Sequence, residues 1–165
     1  MYMGKGCIKD NDNVYFCARK EAATYNEKLF SREGAAELLG VSVSTLGDYE
    51  LGNTKVVPVD KVVLMADLYH CPELKTRYCK YDCPIGKTMP MATEVTRIDN
   101  ITLRLLRELD IEKITHMKKG LIEIAMDGII SEEEKPELKV ILKRLDDLAI
   151  IISEIRLLGE KVLKE

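Results

Sequence analysis

The chain of 165 residues contains no tryptophan and only two phenylalanines, and aromatic residues make up 5% of it. Strand-rich sandwiches rely on aromatic and β-branched side chains to fill a pleated, half-buried face. A composition in which aliphatic residues and methionine supply the apolar content favours helical cores and excludes a large β-rich enzyme. Long hydrophobic runs are missing as well. The longest, Leu148 to Ser153, falls far short of the roughly 18 apolar residues that a spanning helix needs. The first ten residues include Lys5, Lys9 and Asp10 and hold no apolar run of the kind found in a signal peptide. The expected setting is therefore cytoplasmic, with no membrane partner. An excess of one charge is absent too: 25 Lys and Arg stand against 28 Asp and Glu, a net charge of -3. That balance argues against a polybasic nucleic-acid coat and leaves open a local basic face.

Fingerprints of catalysis are also lacking. No Gly-x-Ser-x-Gly, His-Glu-x-x-His, phosphate loop or dinucleotide motif occurs. The two histidines, His70 and His116, fall in different halves of the chain, and no cysteine has an evident orienting base. The expectation is that the protein is not an enzyme.

What is present divides into two kinds of sequence. Pro84, Gly86 and Pro90 punctuate the middle. Before them the apolar runs are short and broken by Gly, Ser and Asn; after them come two long, densely charged helical patterns. The expected division is a domain at 1–90 and another at 91–165. Both are expected to be all-α, because no segment sustains an alternation of period two.

In the first half, residues 13–26 read as a helix with Val14, Cys17, Ala18 and Ala22 on one side. Ser31-Arg32-Glu33-Gly34 opens a second: Ser31 can accept from an early backbone N–H, and Glu33 suits the positive helix end. Ala35, Ala36, Leu38 and Leu39 follow, and Gly40 stops it with a left-handed cap. Val43 to Leu51 reads as a third helix, with Ser42 before it and Gly52 after. A loop over 53–57 leads to a further helix running from about Pro58 to Tyr69.

Two short helices joined by a tight glycine-containing turn have the sequence form of a helix-turn-helix. The stretch Ala36-Glu37-Leu38-Leu39-Gly40-Val41-Ser42, then Ser44-Thr45-Leu46, then Tyr49-Glu50-Leu51-Gly52, resembles the phage repressor and Cro type of helix-turn-helix, the XRE family, over about residues 13–74. The resemblance implies a lambda-repressor-like domain that binds double-stranded DNA. It also implies that Ser42, Val43, Ser44 and Asp48 face bases, and that Arg32 and Lys55 contact phosphates. Ser42 and Ser44 can bond to phosphate or to either class of base, and Val43 can touch a thymine methyl. Val43 and Asp48 stand where relatives commonly have Arg, Lys or Gln. Gly47 weakens its helix by about 1 kcal/mol relative to Ala. Residues 1–90 hold twelve basic and twelve acidic side chains. With phosphate contacts so few, two copies on adjacent half-sites are expected to be needed for useful affinity.

The five cysteines, Cys7, Cys17, Cys71, Cys79 and Cys83, form an odd set, which favours free thiols or metal ligation over a disulfide framework. Cys71, Cys79 and Cys83 lie within thirteen residues. As loop thiolates they could share zinc or an iron-sulfur cluster, with Cys17 or His70 as the fourth ligand. The alternative is that they are free thiols filling small spaces at the end of the domain.

In the second half, apolar residues recur at Ile98, Ile101, Leu105 and Leu109, then at Ile114, Met117, Leu121 and Ile124, with a slip of phase over 110–112. A second pattern steps through Leu138, Ile141, Leu145, Leu148, Ile152, Ile155, Gly159 and Val162 as a heptad-like seam. Between them, Asp127-Gly128 and the capping box Ser131…Glu134 predict a turn, so the two are expected to fold back as a long antiparallel hairpin. The same turn lacks an oxygen ligand at Ala125 and so does not complete a calcium loop. The seam is wider than one partner helix would cover, which predicts a homodimer. The expected function is a DNA-binding transcriptional regulator, dimeric on a pseudo-palindromic site. The alternative is a protein-interaction adaptor or mobile-element accessory protein that keeps the helix-turn-helix fold.

Overall fold

The computed structural model describes residues 12–163, which excludes Cys7. The fold is all-α: the described residues form eight α-helices and two 3-10 turns, and no strand occurs among them. They fall into two compact units, the first running to Lys87 and the second from Thr88 to Val162. The break lies three residues before that expected from Pro90.

In the first unit, helix α1 spans Val14–Ala22 and begins where Asn13 Oδ1 accepts from the backbone N–H of Tyr15 and Phe16. It is shorter than the 13–26 expected. After Ala22 the chain turns and forms a separate 3-10 turn at Glu27–Phe30, capped by Asn26. Its buried face also differs. Tyr15 and Arg19 go inward with Ala18 and Ala22, whereas the sequence pattern pointed to Val14 and Cys17. Helices α2 (Arg32–Leu39), α3 (Val43–Leu51) and α4 (Val59–Leu68) follow at the expected positions. Ala18, Ala22, Ala35 and Ala36 allow the helices to approach closely, and Leu29, Leu46 and Met65 fill the space between with no exposed surface. Each of those larger side chains contributes about 1.5–3 kcal/mol by leaving water.

Just past the end of α4 lies His70, a non-glycine residue in the left-handed region at φ 50°, with the Cys71 N–H returning to the Ala66 carbonyl at 2.9 Å. Tyr25 offsets the strain of that conformation. Its hydroxyl donates to the Tyr69 carbonyl at 2.5 Å, and its ring lies 5.0 Å from the His70 imidazole. Helix α5, Glu73–Tyr81, occupies a stretch that was expected to be a loop. Pro72 sits at its N-cap, where the missing N–H costs nothing, and Leu74 anchors it in the core. Burial, with Asp82 and Tyr78 adding to it, pushes the Tyr15 hydroxyl up to about 12.

The second unit corrects the expected two-helix hairpin. Where one long helix was predicted, two form, α6 (Ile98–Glu108) and α7 (Ile111–Ala125). The slip of phase is a true break: Asp110 becomes an N-cap, accepting from Glu112 and Lys113 N–H at 3.0 and 3.2 Å. Helix α8 (Lys135–Leu163) starts just after the predicted capping box. There Glu134 accepts from the Ser131 N–H at 2.8 Å, while Ser131 Oγ accepts from the Glu134 N–H at 3.3 Å.

The heptad seam does not run along α8 as one buried stripe. Ile141, Ile151, Glu154 and Leu157 are buried, whereas Leu145, Ile152 and Val162 of the seam are exposed. The covered side rotates along the helix because different neighbours cover its two halves. Gly120 of α7 approaches Glu137 and Ile141 so closely that a Cβ there would crowd both. Farther along, Glu154 takes the Thr96 N–H and hydroxyl at 2.8 and 2.7 Å and pairs with Arg104 of α6. Ser153 accepts the Ala92 N–H at 2.6 Å. Burial alone would raise the Glu154 carboxyl, but the hydrogen bonds from Thr96 and Arg104 outweigh it and hold the group below its ordinary range.

Candidate nucleic-acid interface

The turn between α2 and α3 is built from local hydrogen bonds. Ser31 Oγ accepts from Gly34 N–H at 3.0 Å, which starts α2. Gly40, at φ 60°, ends it, and the Val41 N–H reaches back to the Ala36 carbonyl at 3.1 Å. Two residues later Ser42 Oγ accepts from the Thr45 N–H at 3.0 Å and starts α3. Glycine is favoured at 40 because a Cβ in the left-handed region is strained, and this sharp reversal lets α3 begin with only three residues between it and α2. Lys61 of α4 completes the corner by donating to the Leu39 carbonyl at 3.0 Å.

Behind that turn lies a buried ionic clamp. The Glu50 carboxylate on α3 has no exposed surface and collects donors from two other helices. Arg19 of α1 donates from Nε to Oε1 at 2.5 Å and from Nη2 to Oε2 at 3.0 Å. Arg32 of α2 donates from Nε to Oε2 at 2.7 Å. The remaining Arg19 nitrogen, Nη1, is satisfied by the carbonyls of Leu29 and Phe30 at 2.9 and 3.2 Å. A buried ion pair of this kind persists only when its other hydrogen-bonding positions are also filled. At the far end of α3, Asn13 Nδ2 donates to the Tyr49 carbonyl at 3.0 Å and ties the start of α1 to the end of α3.

The predicted contact residues differ in exposure and in the partners they hold. Ser42, Val43 and Ser44 are exposed at the start of α3, and Lys55 is exposed in the loop after it. The Ser42 hydroxyl is engaged in capping and lies 2.8 Å from Thr45 Oγ1. Asp48 is half-buried one turn along, and its carboxylate accepts from Asn53 Nδ2 at 3.1 Å. Its acid therefore shapes the loop that follows α3, a local role that explains its presence on this face. Arg32 departs furthest from expectation. It was assigned to phosphate, yet its Nε is committed to Glu50, and about a third of the side chain remains exposed. Lys55, the other assigned cation, is exposed in the loop after α3.

The clamp was not foreseen from sequence, although a signal existed. Arg19 and Glu50 are charged residues at positions whose helical neighbours, Ala18 and Ala22 for one and Leu46 and Tyr49 for the other, are core residues. Two opposite charges on core faces predict a buried pair.

Among the described residues the cysteines are not gathered into the site expected for them. Cys17 is disulfide-bonded, so it has no thiol to offer a metal and the set is not entirely free thiols. Cys79 lies within helix α5, Cys71 before it, and Cys83 just after its end. The Cys71 thiol donates to Glu73 at 3.5 Å and packs against the core. Among the described residues no group of three His, Cys, Asp or Glu side chains converges to hold a metal. Helix α5 stands between Cys71, before its start, and Cys83, past its end, in place of the loop that would have gathered them.

Residues 19–77 match a family model described as a helix-turn-helix domain. The first unit contains a helix-turn-helix domain. Its bounds run from Arg19 of the clamp into α5, and the domain type is one that places a helix in the DNA major groove. The match is to a helix-turn-helix domain as such and is not specific to the phage repressor and Cro type. Searches among curated proteins and among solved structures found no match. No helix of the described residues is long and apolar enough to cross a membrane.

Proposed function

We propose that this protein is a sequence-specific transcriptional regulator of the phage-repressor type that binds a pseudo-palindromic DNA site as a homodimer. The observation that carries the proposal is the α2–turn–α3 unit, in which caps, left-handed glycine and clamp leave the N-terminal turn of α3 exposed. Val43 and Ser44 supply an apolar contact and a hydroxyl for base edges, and Lys55 supplies a phosphate contact from the adjoining loop.

The second unit supports pairing. Between Met89 and Val162 seventeen large apolar side chains are exposed and six apolar residues are buried, a ratio unsuited to a lone unit in water. Leu142, Leu145 and Ile152 form an exposed row on α8, and Leu103 and Leu106 are exposed on α6. A second copy covering these rows would join two DNA-reading domains and raise their effective affinity. This matters because the first half has no net positive charge.

The test is a salt titration of the full chain against duplex DNA. A steep fall of affinity with salt is expected, and Lys55→Ala should reduce the log–log slope by about one unit. Absence of binding at low salt overturns the DNA reading. In that case the neutral face and the commitment of Arg32 to Glu50 favour a protein-interaction module on the same fold.

A further inference from the structure

The turn between α7 and α8 presents a second apolar surface, whose chemistry differs from that of the α8 row. Ile122, Met126, Ile129 and Ile130 are exposed by 54, 82, 70 and 52%. Local bonds hold the two isoleucines outward. Asp127 Oδ1 accepts the Ile129 N–H at 3.0 Å, Gly128 takes the left-handed conformation at φ 72°, and the Ser131–Glu134 capping box fixes the chain immediately after Ile130. Residues 122–137 contain six acidic side chains and a single basic one, Lys135. Glu123 pairs with Lys119 and Glu132 with Lys135, both at exposed sites, so the surplus is negative.

We infer that this tip is a docking surface for a basic, apolar segment of another protein. Two arguments select that occupant. A second copy placed tip to tip would bring two strongly acidic surfaces together, which like-charge repulsion opposes. The four side chains also expose only roughly 500 Å² of apolar surface, less than the roughly 800 Å² per partner of a standard stable interface and suited to one helix or short segment. A partner with aliphatic side chains flanked by Lys or Arg satisfies both the apolar centre and the acidic rim. The inference does not rest on DNA binding.

The test uses the full-length protein and two synthetic helical peptides, one of alternating Lys and Leu faces and one in which Gln replaces every Leu. Binding is measured by calorimetry. The Lys/Leu peptide is expected to bind at least tenfold more tightly than the Lys/Gln peptide. The double variants Ile129→Ser with Ile130→Ser, and Glu132→Gln with Glu133→Gln, should each weaken it at least tenfold. All of these residues are on the surface, so unchanged helical circular dichroism verifies that the variants fold. Equal binding of both peptides, or binding indifferent to the isoleucine change, overturns the proposal. So does a loss of self-association in the isoleucine variant by sedimentation, since the occupant would then be a second copy.

Discussion

The two units of this chain use apolar residues in opposite ways. In the first, fifteen buried residues form one cluster that includes Leu29, Leu46 and Met65, and the charges that enter it, Arg19 and Glu50, are fully partnered. In the second, burial is confined to a few points such as Ile101, Ile124 and Ile141, and most large aliphatic side chains face outward. A unit that satisfies its own core can present a shaped polar face. One that leaves its apolar rows uncovered keeps them accessible to solvent. Similar fractions of hydrophobic sequence thus build a closed core in one half and exposed apolar rows in the other.

The strongest way to break this contrast is to damage the clamp. Glu50→Ala leaves Arg19 buried without its carboxylate, and the cost should be about 3–5 kcal/mol. Urea unfolding followed by circular dichroism should then show an early transition of the first unit, with the helices of the second persisting. A single shared transition would mean that the two units do not differ in this way. A smaller effect separates two glycines of the first unit. A Cβ at Gly34 would overlap the Lys28 backbone carbonyl, whereas one at Gly47 would meet only the Arg32 guanidinium at an ordinary 3.9 Å. Gly34→Ala should therefore cost about 1–3 kcal/mol, and Gly47→Ala should stabilise α3 by up to about 1 kcal/mol. Opposite shifts in melting temperature check both.

The smallest expected effect lies in the second unit and depends on pH. The folded pKa of Glu154 lies below the ordinary 4.5. Its contribution to stability is therefore complete above that range and is lost as pH falls through the folded value. Glu154→Gln should flatten the acid limb of the second unit's melting curve and leave that of the first unchanged.

Much of the first unit was legible in the sequence because its signals are local. Ser31, Gly40, Ser42 and Gly52 mark helix ends by chemistry that acts within a turn, and all four sit where that chemistry requires. Helix α5 was not legible, because Pro72 reads as a breaker unless the N-cap position is known. The clamp between Arg19, Arg32 and Glu50 joins residues up to thirty-one apart, and spacing alone does not pair them. Arg32 is thereby also a strut, its Nε bonded to Glu50. In the second unit the phase slip near Asp110 was visible, but its meaning as a helix break depended on a side chain closing back on its own backbone. The outward rows of α8 were hidden for another reason: a heptad pattern shows which residues are apolar and not which neighbour covers them.

The position of Glu50 has a mechanical consequence. One carboxylate is gripped from two sides, so α3 cannot roll about its axis without dragging α1 and α2 along. The exposed turn that starts at Ser42 is mounted on a locked bearing. Any molecule that meets this face encounters a rigid template, and the bending or sliding needed for a close fit must be supplied by the visitor.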